Sequence, residues 1–355
     1  MPGAYEADRL DTSNLWYSLF QKGVELGTWN VESLFEEVGF EEDREVWRSL
    51  DDDEREQVRR LLAGFLDGEH EVGQDAAHHL QRIMSADCLE HTETKEMYMT
   101  MFTLSEHKHT QFVDVYMNEV VGSDVSAEDK YTELDPRRRG SRVPVVEATG
   151  LGEVFERQGR LAAKAAHTHD PVDIARLATN YHLNVEGVLA RTGFYAINSM
   201  TKNAPLPLLN KGFKFISTDE GRHIAHGINL LKELIEKERE GVPEYQGVSR
   251  AIVETLHEDA PRMGEFGYMI TDSVDDPLDI GFDNVLLRAG ELIDGMYNES
   301  LGLDINHAEI VREVGDRHSS LLEADLDSRI EEYRDLYRRK SGVAADGSGG
   351  SGGGG

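Results

Sequence analysis

The sequence predicts an all-α protein, a helical bundle holding two metal ions within a four-helix core. Three observations predict it. Apolar residues recur at helical spacing along most of the chain, strand signals are weak, and the pattern Glu-x-x-His occurs twice, at Glu106 to His109 and at Glu220 to His223. On a helix, residues three apart are surface neighbours, so each Glu and His can reach one point together. Each pair also has a candidate Glu upstream on a separate stretch, Glu69 before the first and Glu186 before the second. Four carboxylates and two imidazoles make a hard, oxygen-rich cage with two nitrogens. Such a cage suits iron or manganese better than a closed thiolate zinc site.

Helical periodicity covers residues 54–82, 88–121, 148–166, 171–200, 206–240, 246–272 and 279–302. Breakers fall between these stretches: Gly122-Ser123-Asp124, Asp135-Pro136, Asp170-Pro171, Pro205 and Pro207, Gly241 to Pro243, and Asp276-Pro277. Asp170 reads as an N-cap with Pro171 in the first turn. No second periodicity appears, so residues 1–304 are expected to form a single helical domain, with a C-terminal helical extension over 305–340. The connection 122–147 is long, polar and basic (Pro136-Arg137-Arg138-Arg139-Gly140), a surface loop or a mobile cover. Residues 341–355 are almost entirely Gly, Ser, Ala and Asp and are expected to be a disordered tail or linker.

The chain has 355 residues, with 37 Lys+Arg against 68 Asp+Glu and a formal net charge of -31. That charge repels nucleic acid and anionic membrane surfaces, so neither is expected as a partner. The acids are spread throughout, as at Asp51-Asp52-Asp53-Glu54, rather than gathered in a tail. This is a solvation device of the kind found in a salty cytoplasm, and a halophilic archaeal source is expected. The single cysteine, Cys88, excludes an intramolecular disulfide and a cysteine-rich metal site. The N-terminus lacks the basic and apolar regions of a signal peptide, and no apolar run approaches the ~20 residues of a membrane span. A cytoplasmic protein is the simplest expectation.

One Glu-x-x-His is a weak signal, because acidic helices carry such pairs by chance on exposed faces. Their neighbourhoods argue otherwise. Glu106 follows Met99-Thr100-Met101-Phe102-Thr103-Leu104-Ser105, and Glu186 lies within Leu183-Asn184-Val185-Glu186-Gly187-Val188-Leu189. Burying a carboxylate in such apolar stretches is costly unless it is paired or bound to metal. His78, His79, His91, His167 and His169 lack a partner carboxylate at matching spacing and read as surface or capping residues; His70 and His107 flank ligands on the wrong side of their helices.

The order Gly68-Glu69, Glu106-x-x-His109, Glu186, Asp219-Glu220-x-x-His223 resembles the ribonucleotide reductase small-subunit superfamily over about residues 25 to 300. The same arrangement, one Glu from each of two helices and Glu-x-x-His from each of two others, is the ferritin-like dimetal template itself. Trp29 falls where that superfamily carries a buried Trp, and Asp219 matches its Asp beside the last Glu-x-x-His. The resemblance implies a chain Trp29, Asp219, His109 that orients the imidazole and offers an electron route to the metals.

Two details favour one branch. Val113 stands four residues after His109, where a radical-storing subunit has Tyr. Val72, three residues after Glu69, and Tyr181 match the Val and Tyr that form an ether cross-link in the ligand-binding oxidases similar to reductase small subunits. In an ideal helix, Tyr181, five residues before Glu186, is not on its face; a π-bulge would bring the two together. Arg191 and Phe194 depart from that branch, where an apolar residue and a Tyr are expected. The resemblance implies an O2-activating oxidase with Mn bound by Glu69, Glu106 and His109 and Fe by Glu186, Glu220 and His223, Glu106 bridging. Fe/Fe is the alternative that the ligand types also accept. It also implies a long-chain fatty acid near the metals and a homodimer. The competing readings are a true reductase small subunit, which needs a docking tail, and an iron-storage or structural bundle.

Overall fold

The computed structural model describes residues 10–71, 77–124, 150–271 and 275–322, and these residues contain helices but no strand. Val72, most of the 122–147 connection, the end of the expected extension and the 341–355 tail lie outside them. Three helices precede the first one expected: α1 (Leu15–Leu26), α2 (Val31–Val38) and α3 (Glu41–Ser49). Each of the first two is started by an asparagine cap, Asn14 accepting from the Tyr17 amide and Asn30 from that of Ser33.

The expected helices follow: α4 (Asp52–Glu71), α5 (Ala77–Ile83), α6 (Thr92–Glu119) and α7 (Gly150–Thr168). Next is α8 over 171–203, an α-helical turn (Pro171–Ala178) leading into a π-helical stretch (Thr179–Ala190) and back to α-helix (Arg191–Asn203). Asp170 caps α8 as expected, accepting from the Val172 and Asp173 amides, with Pro171 in the first turn. The expected widening around Tyr181 to Glu186 is therefore present, over a longer span than a single bulge. α9 (Pro207–Arg239) and α10 (Val248–Ile270) come next. α11 (282–300) joins Phe282–Ile293 to a second π-helical stretch, Asp294–Ser300, and α12 (His307–Leu322) lies in the expected extension.

Four of these helices surround the site. α4 packs on α6, α6 on α9, and α9 on the π-helical part of α8, while α10 covers α4, α7 and α8 and carries α12 on its outer side. Two glycines let α9 come close enough. A Cβ on Gly212 would lie 2.0 Å from Phe112 Cζ on α6, and one on Gly227 2.2 Å from His182 Cβ on α8. The core between them includes Leu61, Leu62, Leu66, Phe102, Phe112, Ile216 and Leu230, all shut off from solvent, and encloses a polar layer. No helix among the described residues is long and apolar enough to cross a membrane.

Candidate metal centre

The polar layer contains the six residues picked out by the sequence. Glu69 comes from α4, Glu106 and His109 from adjacent turns of α6, Glu186 from the π-helical part of α8, and Glu220 and His223 from α9. All six are buried, His109 completely. Their ligand atoms fall into two groups, Glu69, Glu106, His109 and Glu220, and Glu106, Glu186, Glu220 and His223, each within a 4.8 Å span. Both groups include Glu106 and Glu220. The two Glu220 oxygens are divided between the imidazoles: Oε1 lies 3.3 Å from His109 Nδ1 and Oε2 3.4 Å from His223 Nδ1. Glu220 thus belongs to both groups, as does Glu106, which the resemblance implied as the bridging residue.

Both histidines turn Nδ1 inward and are held from behind at Nε2. His109 Nε2 lies 3.2 Å from Asp219 Oδ2, and the same oxygen accepts the Trp29 indole N–H at 2.8 Å. This is the chain Trp29, Asp219, His109 that the resemblance implied, although Trp29 is only half-buried. Lys108 Nζ stands 3.5 Å from Asp219 and 4.6 Å over the Trp29 ring, and Arg222 also bonds Asp219. The partner behind His223 is Ser105 Oγ, at 2.9 Å from Nε2. Such partners fix the ring and leave the other nitrogen free for a metal.

The donor set fits two metal ions. Glu106 Oε1, His109 Nδ1, Glu186 Oε1, Glu220 Oε2 and His223 Nδ1 are buried without a well-directed hydrogen bond, yet they converge on common points. Buried polar atoms in folded proteins are as a rule paired, and the convergence of these five makes a cage able to take cations.

Without metal, protons do the neutralising. Burial pushes the Glu106 carboxyl from its ordinary 4.5 up to about 8 despite His223 beside it. Burial would raise Glu220 as well, but His223 and the hydrogen bond from His109 outweigh it and hold that carboxyl at about 2. Burial would lower both imidazoles, but Glu69 at His109 and Glu220 at His223 draw them well above 6.5. The metal-free fold therefore retains protons on Glu106, His109 and His223 that the unfolded chain gives up. Its stability should fall as pH rises from about 5 to about 8, because the folded state binds more protons across that window. Divalent metal must displace those protons, so the stabilisation it gives should grow over the same window. Melting curves of metal-free and metal-loaded protein at several pH values check both signs.

Tyr181 is fully buried and lines a pocket together with Glu69, Glu106, Glu186 and Glu220. Burial, with Glu106, Glu186 and Glu220 adding to it, holds the phenol well above 10 and neutral. The rest of the lining is apolar, with Phe65, Leu151, Phe155, Leu189 and Phe266. Phe194, unexpected at its position, stacks at 5.5 Å on Phe65, which lines the pocket. Arg191 is partly buried; desolvation lowers its pKa, against the pull of Glu220 and Glu186.

Two histidines of this region were not singled out from the sequence. His182 Nδ1 lies 2.7 Å from Glu186 Oε2, and His226 Nδ1 accepts the Trp16 indole N–H at 3.1 Å. Their spacing was a usable signal: His182 is four residues before Glu186 and His226 three after His223, each on the inward face.

No family model matches the chain. Its structure is similar to solved structures of R2-like ligand-binding oxidase. One, a variant with an anaerobically reconstituted Mn/Fe cofactor, is 22% identical with a TM-score of 0.65, covering 83% of this chain and 95% of that one. Another, aerobically reconstituted with Mn/Fe, is 20% identical with a TM-score of 0.61, covering 90% and 96%. A third carries a non-activated Mn/Mn cofactor and is 22% identical with a TM-score of 0.63, covering 83% and 95%. The chain thus has the all-helical, ferritin-like fold of these dimetal oxidases, with a buried carboxylate and histidine cluster able to bind two metals.

Proposed function

We propose that this chain is a dimetal oxidase that activates O2. In this reading Mn is bound by Glu69, Glu106 and His109 and Fe by Glu186, Glu220 and His223, and a long-chain fatty-acid-like ligand lies in the adjoining cavity. The observation that carries the reading is the pair of buried four-residue groups sharing Glu106 and Glu220. The Mn/Fe pairing draws support from neighbours of the same fold that hold that cofactor, and Fe/Fe remains the pairing the donor types also accept.

Two reduced metals held by these six residues would supply the oxidising equivalents drawn from O2. The chain supplies the rest. Asp219 and Ser105 fix the two imidazoles, and Trp29 through Asp219 and His109 gives electrons a route inward. Phe65, Leu189 and Phe266 keep water from the reacting end of the cavity. The reacting residues are Val72 and Tyr181. The Val72 C–H and the Tyr181 O–H bonds break, the Tyr181 oxygen bonds to that carbon, and the two protons and two electrons released go to the reduction of O2. The position of Val72 three residues after Glu69, and the burial of Tyr181 on the cavity wall, support this pairing.

Substituting Val72→Ala should leave two metals bound per chain and abolish the covalent link, checked by elemental analysis and by mass spectrometry of the intact digest. Loss of metal in that variant would count against Val72 as a reacting rather than a structural residue.

A further inference from the structure

A buried carboxylate outside the metal centre stands behind the π-helical stretch of α8. Asp259, on α10, is shut off from solvent, as are its neighbours Asn180 and Asn184. Its Oδ2 accepts from both amides, Asn180 Nδ2 at 2.8 Å and Asn184 Nδ2 at 2.8 Å, and its Oδ1 accepts from Arg157 of α7 at 2.5 Å. The Asn184 oxygen in turn accepts the hydroxyl of Tyr297, fully buried in the π-helical part of α11. Beside Tyr297, Met296 packs against Gly187, where a Cβ would lie 2.6 Å from the Met296 sulfur. The two π-helical stretches therefore meet, and α7, α10 and α11 are all joined to the back of the first.

The ligands are on the other side. Asn180 and Asn184, four apart, share a face. Glu186 is two positions past Asn184, about 200° round at 3.6 residues per turn and a little less in the wider turn, so it faces the opposite way. A π-helical ladder is rare, and a rare backbone form persists only where its surroundings over-determine it. Here the amides of Asn180 and Asn184 are fixed by a carboxylate that is itself paired to Arg157, which Glu258 also holds. Relaxation of the stretch to an α-helix changes the angle between Asn184 and Glu186, so a stretch held at Asn184 holds Glu186 too.

We propose that Asp259 is a positioning residue of the metal centre: with Arg157, Asn180, Asn184 and Tyr297 it fixes the wide turn of α8, and so holds Glu186 at its metal without acting on the other one. This rests on the dimetal reading above. The charge matters as well as the shape. An asparagine at 259 has one oxygen for three donors, so one orientation sets its NH2 against Arg157 and the other sets it against the two amides. Moving the carboxylate across the contact restores the pairing. In the exchange Asn184→Asp/Asp259→Asn, the amide at 259 donates to the carboxylate at 184 and to Asn180. The Asn180 oxygen has no partner among the described residues and turns inward on an amide flip. Arg157 then meets the oxygen at 259, and Tyr297 donates to position 184 as before.

The test is calorimetric titration of the full chain with Mn2+ alone, without O2, in two backgrounds. Glu69→Ala leaves intact the group that contains Glu186, and Glu186→Ala leaves intact the group that does not. Asp259→Asn should weaken the metal about 10–100-fold in the Glu69→Ala background, the scale of a lost ligand support, and leave it unchanged in the Glu186→Ala background. Tyr297→Phe removes a single hydroxyl and should move the same site in the same direction by less, which decides the matter if Asp259→Asn does not fold. The exchange should recover the lost affinity. Equal losses in the two backgrounds, or no recovery in the exchange, would make Asp259 a support of the fold at large and overturn the proposal. Affinities unchanged by both Asp259→Asn and Tyr297→Phe would overturn it as well. An unsubstituted chain that takes up fewer than two metals would overturn the dimetal reading and the proposal together.

Discussion

Replacing Glu220 by Ala should empty both metal positions. Its two oxygens face different imidazoles, and it belongs to both four-residue groups, so no arrangement of the remaining side chains restores either one. Loss of a residue that merely supports a ligand costs about 10–100-fold in metal affinity, and losing a shared ligand should cost more than that at each position. Glu69→Ala and Glu186→Ala each remove a ligand from one group only and should retain the metal of the other. Elemental analysis after dialysis separates these outcomes. A Glu220→Ala protein that keeps two metals would mean that Glu106 alone bridges.

Asp219→Asn should do nearly as much damage without touching a ligand. The Asp219 carboxylate gathers His109, Trp29, Lys108 and Arg222, and it is fully buried. Burial would raise its pKa, but these partners, His109 first, hold it well below the usual carboxylate range. The amide keeps the shape and loses the charge, leaving the two cations without their counter-ion and presenting an N–H where His109 needs an acceptor. Metal affinity at the His109 position should fall by about 10–100-fold, and the fold should lose on the order of 1–3 kcal/mol. Calorimetric metal titration and denaturant melts read the two effects. An unchanged affinity would mean that His109 is oriented by its packing alone.

The two Glu-x-x-His pairs were legible because a helix converts a spacing of three into one shared face, and because apolar neighbours exclude the solvated alternative for Glu106 and Glu186. Tyr181 and Glu186, five apart, were legible as a distortion, and the π-helical stretch around them is what that spacing requires. The sharing of Glu220 was not, since two identical motifs give no reason to choose between their carboxylates; only the crossing of α6 and α9 decides it. Ser105 and the Trp16–His226 pairing were missed for a related reason, whereas the spacing of His182 from Glu186 was there to be read. Ser105 acts across 118 positions and Trp16 across 210, and contacts between distant turns leave no periodicity. The helices before residue 52 are short, at 12, 8 and 9 residues, the first two started by asparagine caps and the third acidic in its first turn.

The measurement that tests the oxidase account most directly is peptide mass spectrometry of the chain after aerobic loading with Mn and Fe. The account predicts that the tryptic peptide from Leu61 to Arg82, which holds Val72, is joined to that from Leu177 to Arg191, which holds Tyr181, short of the summed masses by two hydrogens. Two separate, unmodified peptides from a sample with both metals bound would contradict it.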